Sequence, residues 1–301
     1  MNDGRIARLL GSERPILGDG AIGTMLQAAG LMPGASPEVW NVEHPERMRV
    51  IHSAYAEAGA QLLTTNTFGG TRPRLAMHGH EERVAELNEA GAAIAREVAD
   101  EAGIHVLGSM GPTGELLEPL GLLTHDEVVD LFAEQAAALA AGGADILLAE
   151  TFSDLGEVRA AVEGARRAAP DVPIAVTMTF DLKGHTMMGV SPNQALEEIA
   201  AMGVEMIGGN CGSGPAEIDG VLTAMSAARP EGVMLLAQSN AGLPELVGDE
   251  FRYGGTPHVM ANYALRMHEL GTDVIGACCG SSPDHIRAMR EALSGAGVAS
   301  A

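Results

Sequence analysis

At 301 residues and 46% apolar content, the chain can bury a substantial core. Its 40 acidic and 18 basic residues leave a net charge of −22, a field that repels nucleic acid and anionic membrane surfaces and argues against both as partners. No apolar run comes near the roughly 18 residues of a membrane span, and the charged stretch from Met1 to Arg14 lacks a signal peptide's apolar centre, so a cytoplasmic protein is expected.

The first strand candidate is PILGD (15–19), followed by a helical pattern over 45–59. EAGAQLLTTN (57–66) then sets a phrase that recurs: a helix ends on small residues, a glycine suits the left-handed C′ position, and a short apolar run follows. Next come a helix over 81–103, a strand at IHVLGS (104–109) and a helix over 125–143. The phrase returns in AGGADILLAE (141–150), ahead of a helix over 154–169 and a strand at PIAVTMTF (173–180). A helix over 191–203 leads to AMGVEMIGGN (201–210), then to a helix over 214–228 and a strand at VMLLAQS (233–239). A helix over 256–271 precedes the last occurrence, ELGTDVIGAC (269–278), and a final helix covers 282–293. From about 295 to 301 a disordered tail is expected.

Short apolar runs placed directly after a glycine read as buried parallel strands. With the four further candidates between them they make eight strands, which alternating with eight helices predict an α/β fold, a single (β/α)8 TIM barrel over residues 1–301. An open doubly wound sheet is the alternative. GDGAIGT (18–24) fits its dinucleotide fingerprint too loosely, and no acidic residue ends the second strand.

A barrel places its chemistry where the strands end. Read there, the sequence offers Asp19, Thr65, Ser109, Glu150, Asn210 with Cys211, Ser239 with Asn240, and Cys278 with Cys279. All three cysteines of the chain thus fall at one end, on strands six and eight. Adjacent residues rarely bridge each other, and no Cys-x-x-Cys pair suggests redox work. Three thiolates with an open fourth position suit a catalytic zinc, since soft sulfur selects zinc over magnesium or calcium. So much ligand charge blunts the metal's power to acidify water and favours holding a substrate thiol as thiolate, which points to S-alkylation.

The stretches GDGAIGTML (18–26), NTFGGTRPRL (66–75), GSMGPTGELLEP (108–119), GGNCGSGP (208–215), QSNAGLP (238–244) and GACCGSSPDHI (276–286) resemble the homocysteine-binding methyltransferase family. Its members include betaine–homocysteine methyltransferases, S-methylmethionine-dependent enzymes and the first module of cobalamin-dependent methionine synthase. The resemblance implies a zinc-containing barrel that methylates homocysteine to methionine. It makes Cys211, Cys278 and Cys279 the ligands of one Zn2+ per chain. It sets Asp19 and Glu150 near the ammonium of homocysteine, with Gly20, Thr65 and the backbone around Ala277 holding the amino acid. Independently, a cationic ammonium calls for carboxylates, and Asp19 and Glu150 are the acids at strand ends. Asn240 either offers its oxygen to the zinc when substrate is absent or forms a turn.

For the methyl donor the expectation is betaine or a related small onium compound in an aromatic cage walled by Trp40 and Phe68, with Phe152 and Tyr253 as further rings. Aromatic residues make up only 3% of the chain, and Gly69 and Gly70 stand where mammalian-type betaine enzymes carry a tyrosine. The alternative is a homocysteine-activating subunit that takes its methyl group from a separate corrinoid protein. No Asp-x-His-x-x-Gly corrinoid signature occurs in these 301 residues, and no second module is expected within them. A non-catalytic zinc- or thiol-binding module is a third reading.

Overall fold

The computed structural model describes residues 4–11, 14–247 and 250–296. Seven parallel strands come first: β1 (Ile16–Leu17), β2 (Leu62–Thr64), β3 (His105–Met110), β4 (Ile146–Phe152), β5 (Ile174–Met178), β6 (Met206–Cys211) and β7 (Met234–Ser239). A separate antiparallel hairpin, β8 (Pro244–Val247) and β9 (Glu250–Tyr253), intervenes before the last parallel strand, β10 (Val274–Ala277). The sheet order is β1-β10-β7-β6-β5-β4-β3-β2. A parallel bridge between Gly18 and Leu62 brings its two edges together, backed by a 2.7 Å hydrogen bond from Gln61 N to Leu17 O. The eight strands therefore form the expected (β/α)8 barrel.

Helices α1 (Arg5–Leu9), α2 (Ile22–Ala28), α3 (Trp40–Glu43) and α5 (Arg72–Ala76) are short additions that the hydrophobic pattern did not announce. The outer ring is α4 (Pro45–Ala58), α6 (Val84–Ala102), α7 (His125–Ala141), α8 (Leu155–Ala168), α9 (Pro192–Ala201), α10 (Pro215–Ala227), α11 (Pro257–Glu269) and α12 (Pro283–Gly295). Their starts are written in the sequence. Thr124 and Glu127 form a reciprocal capping box, Ser191 and Thr256 cap α9 and α11, and prolines open several helices where an N–H has no helical partner. Gly59 (φ 107°) and Gly103 (φ 68°) supply the left-handed turns that end α4 and α6. The tail expected from about 295 lies outside the described residues from 297 onward; Gly295 itself ends α12.

Two apolar layers hold the barrel. Leu62, Leu107, Ile146, Leu148, Met206 and Leu236 share an inner cluster with Ile6 and Leu10, so α1 belongs to the barrel's own core. Ile6 N also donates to the buried Glu205 carboxylate at 2.9 Å. Between strands and helices, Phe132 packs on Phe152 with ring centroids 5.7 Å apart.

Gly208 shows how tight the wall is. It pairs with Leu236 across β6 and β7, and a Cβ there would overlap the Leu236 carbonyl. Gly208→Ala is expected to destabilise the fold by about 1–3 kcal/mol through overpacking. Each kcal/mol should lower the thermal midpoint by about 2–4 °C. An unchanged melt would show that the two strands part without penalty.

Candidate active site

The strand ends enclose a cavity of about 280 Å³. Cys211, at the end of β6, and Cys278 and Cys279, just past β10, stand on its floor. Cys211 Sγ lies 3.2 Å from Cys278 Sγ and 4.0 Å from Cys279 Sγ, and all three sulfurs fall within 4.8 Å of one another. They are free thiols, well beyond the roughly 2.05 Å of a disulfide.

The turns that present them are unusual. Cys211 has φ 60° and Gly212 φ 71°, so the chain takes two left-handed residues in succession as it leaves β6. For a cysteine that conformation costs about 1–3 kcal/mol and persists only where its surroundings fix it. Gly280 (φ 81°) makes the matching turn after Cys279, where a Cβ would run into the Tyr253 ring. Cys278 N donates to Ser239 O at 2.7 Å, fixing the second turn to β7.

Ionisation within the cluster is shared. Hydrogen bonds from Cys211 and Cys278, with a further one from Tyr253, pull the Cys279 thiol well below its ordinary value. Cys278 is pushed up by its hydrogen bonds to Cys211 and Cys279 and by burial. In Cys211 the bond with Cys278 lowers the thiol's pKa, but the contact with Cys279 and burial outweigh it and raise the pKa. One negative charge is accommodated, and three are not unless a cation joins them. A tetrahedral metal with sulfur bonds near 2.3 Å spaces its sulfurs about 3.8 Å apart, a value inside the spread observed. Nearby, the buried Asn240 donates from Nδ2 to Gly212 O at 2.6 Å, while its Oδ1 has no partner among the described residues. Three soft donors within 4.8 Å of one another fit a metal ion.

Glu150 faces the same cavity from β4. One of its oxygens accepts the Ser109 hydroxyl, and the other accepts from Asn210 Nδ2 at 3.3 Å. Behind Ser109 runs a chain of hydrogen bonds. Ser109 N donates to Thr65 Oγ1 at 2.9 Å, Thr65 and Thr67 hydroxyls lie 2.6 Å apart, and Thr67 Oγ1 donates to Ser109 O at 2.7 Å. Burial raises Glu150 to about 7 against the Ser109 bond that lowers it, with the Cys279 charge adding to the rise. Burial likewise raises Asp19 to about 7, although Thr64 hydrogen bonds oppose it.

The structure thus brings Gly20, Thr65, Glu150, Ala277, Phe68 and the three cysteines to one cavity. Asp19 stands behind its wall: its two oxygens accept Thr64 N at 2.7 Å and Thr64 Oγ1 at 2.8 Å. Trp40 is turned elsewhere, with His44 against it at 4.8 Å and the Arg47 guanidinium 5.1 Å from its ring centre. Phe68 is the one Phe, Tyr or Trp among the described residues that line the cavity. Sequence reasoning gave no role to Asn210 or Gln238. Gln238 lines the cavity and its Oε1 lacks a partner among the described residues.

The pattern that defines homocysteine S-methyltransferases matches residues 16–293. The chain belongs to that family. Methionine synthases of Mycobacterium tuberculosis and Mycobacterium leprae are each 38% identical to it over 94% of its length. The chain spans only about a quarter of these relatives, 25% and 24%. The homocysteine methyltransferase MmuM from Escherichia coli, in its metallated form, shares the fold with a TM-score of 0.79. At 24% identity that match covers 95% of this chain and 99% of MmuM. No described helix is long and apolar enough to cross a membrane.

Proposed function

We propose that the chain methylates homocysteine to methionine on a zinc site formed by Cys211, Cys278 and Cys279, with the methyl group delivered by a corrinoid carried on another module or protein. The observation that carries this reading is the meeting of three free thiols and the Glu150 carboxylate in one cavity. When bound, the zinc supplies a cation that holds the substrate sulfur as thiolate. The rest falls to the chain. Glu150, oriented by Ser109 and Asn210, faces the substrate ammonium, and Asp19 adds negative charge from behind Thr64. Thr65 and the backbone at Gly20 and Ala277 line the amino-acid end of the space. The S–C bond forms as the carbon–cobalt bond breaks, the electron pair goes to cobalt, and the thiol proton leaves to solvent.

Two observations favour a corrinoid over a small onium donor. A cage needs several rings, and among the described residues Phe68 is the one Phe, Tyr or Trp that lines the cavity. The barrel face on which the strands end also carries apolar side chains: Met32, Met77, Leu120, Leu122, Leu182 and Met187 are all exposed, Leu122 by 93% and Met187 by 90%, and all lie in connections that follow strands. Such a face suits contact with another protein. The 38% identity to two methionine synthases supports methionine as the product.

Zinc-loaded protein given homocysteine should form methionine from methylcobalamin and none from betaine or S-methylmethionine. Comparable turnover with either onium compound would overturn the donor assignment. The double substitution Leu122→Asp and Met187→Asp should slow transfer from a methylated corrinoid protein about tenfold, as charge enters the contact, and leave free methylcobalamin unaffected. Equal rates with the protein donor would remove that face from its docking.

A further inference from the structure

Glu150 and Cys211 stand on strands that are not neighbours, since β5 runs between β4 and β6. Asn210 spans that gap. It is fully buried, and its whole amide is engaged on the far side of β5. Oδ1 accepts Thr151 N at 2.9 Å, and Nδ2 donates to Thr151 Oγ1 at 2.7 Å and to Glu150 Oε2 at 3.3 Å. The reason lies in the sheet. Ala149 pairs with Val176 and Phe152 with Met178, so two residues of β4 stand where β5 offers one. This bulge releases Thr151 N–H from the ladder and aims Glu150 into the cavity. Thr151 has φ 66°, and Cys211, directly after Asn210, has φ 60°. Among the described residues these are the only two outside glycine with positive φ. Such conformations survive where surrounding contacts over-determine them, and here the amide that holds Thr151 belongs to the residue directly before Cys211.

We infer that Asn210 is a positioning residue that couples metal binding at Cys211 to recognition of the substrate ammonium by Glu150. The inference rests on the roles proposed above for those two residues. Asn210 is absent from the cavity lining and acts through its neighbours. A metal that fixes the Cys211 sulfur beside Cys278 and Cys279 fixes the left-handed turn at 211 and the orientation of the residue before it. The amide of Asn210 then holds Thr151 in its bulge and Glu150 toward the cavity. Linkage makes the effect reciprocal: an amino acid seated on Glu150 tightens metal binding by the same factor.

Norvaline tests this, because it has homocysteine's shape with a methyl group in place of the thiol. Its affinity is measured by calorimetry on zinc-loaded and metal-stripped protein. In the parent protein zinc should tighten norvaline about fivefold or more, within the usual range of coupling between sites. In Asn210→Ala and Asn210→Asp the ratio should fall to near one. The aspartate variant keeps the size and an acceptor for Thr151 N but has no N–H for Glu150, so it serves if the alanine variant does not fold. Equal norvaline affinity with and without zinc in the parent protein, or undiminished coupling in the variants, overturns the inference. Homocysteine binding to the zinc-loaded parent is the control: if it is present without coupling, this inference alone falls, and if it is absent, the proposed function falls with it.

Discussion

Cys278→Ser is expected to strip the metal from the protein and abolish methyl transfer. Cys278 is the sulfur nearest Cys211, at 3.2 Å, and its backbone N–H is fixed by Ser239 O. A serine hydroxyl in that place neither ionises near neutral pH nor offers a soft donor. Removing a group that merely supports a ligand lowers metal affinity about 10–100-fold, and removing the ligand itself should exceed that. Desalted Cys278→Ser should carry less than about a tenth of the parent's zinc, measured by elemental analysis. Its far-ultraviolet circular dichroism should match the parent, because the two apolar layers of the barrel do not depend on this thiol. Cys211→Ser and Cys279→Ser should behave alike. Full zinc in any of the three would remove that residue from the ligand set.

Glu150→Gln should weaken homocysteine binding about tenfold to a hundredfold while zinc content stays intact, since a charge-assisted contact is worth about 1.5–3 kcal/mol. Loss of zinc along with affinity would instead make Glu150 structural. The same carboxylate sets a pH dependence. Burial raises Glu150 from 4.5 to about 7, so the charge that faces the ammonium is lost as pH falls through 7. Norvaline affinity should then drop by up to about tenfold per unit below pH 7, and the drop should be smaller in Glu150→Gln. Stability runs the other way. A carboxyl whose folded pKa lies above its unfolded one binds its proton more tightly when folded. The ligand-free protein therefore loses stability as pH rises from about 4.5 to about 7. Asp19, raised from 3.8 to about 7, adds to the same slope. Comparing melting midpoints of parent and Glu150→Gln at pH 5 and pH 8 isolates the Glu150 share; identical slopes would mean that Glu150 ionises freely in the folded chain.

The barrel was legible because four of its eight parallel strands follow a glycine and a polar residue and the other four alternate with them, an order that survives in one dimension. Strand β10 (Val274–Ala277) and helix α12 (Pro283–Gly295) fall inside or beside the stretches expected for them. The hairpin of β8 and β9 was not legible, since its strands of four residues each are too short to show an alternating pattern. Cys211, Cys278 and Cys279 could be grouped because strand ends on one face of a barrel converge. Asp19 and Glu150 looked equivalent by the same logic, and only the Thr64 hydrogen bonds set Asp19 behind the wall. Trp40 was matched to the cavity by its place in the chain, whereas its ring lies against His44 and Arg47 and does not line the cavity. Asn210 was placed at a strand end but given no role, because its work depends on a bulge two strands away. Register between strands is not written in either strand alone.

The exposed methionines on the face where the strands end make that surface chemically soft. Met32, Met77 and Met187 present thioethers to solvent with exposures of 72%, 71% and 90%. An oxidant converts each into a sulfoxide, a polar and chiral group in place of a flexible apolar one. Peroxide acting here would make this surface more polar, and sulfoxide reductases would restore it.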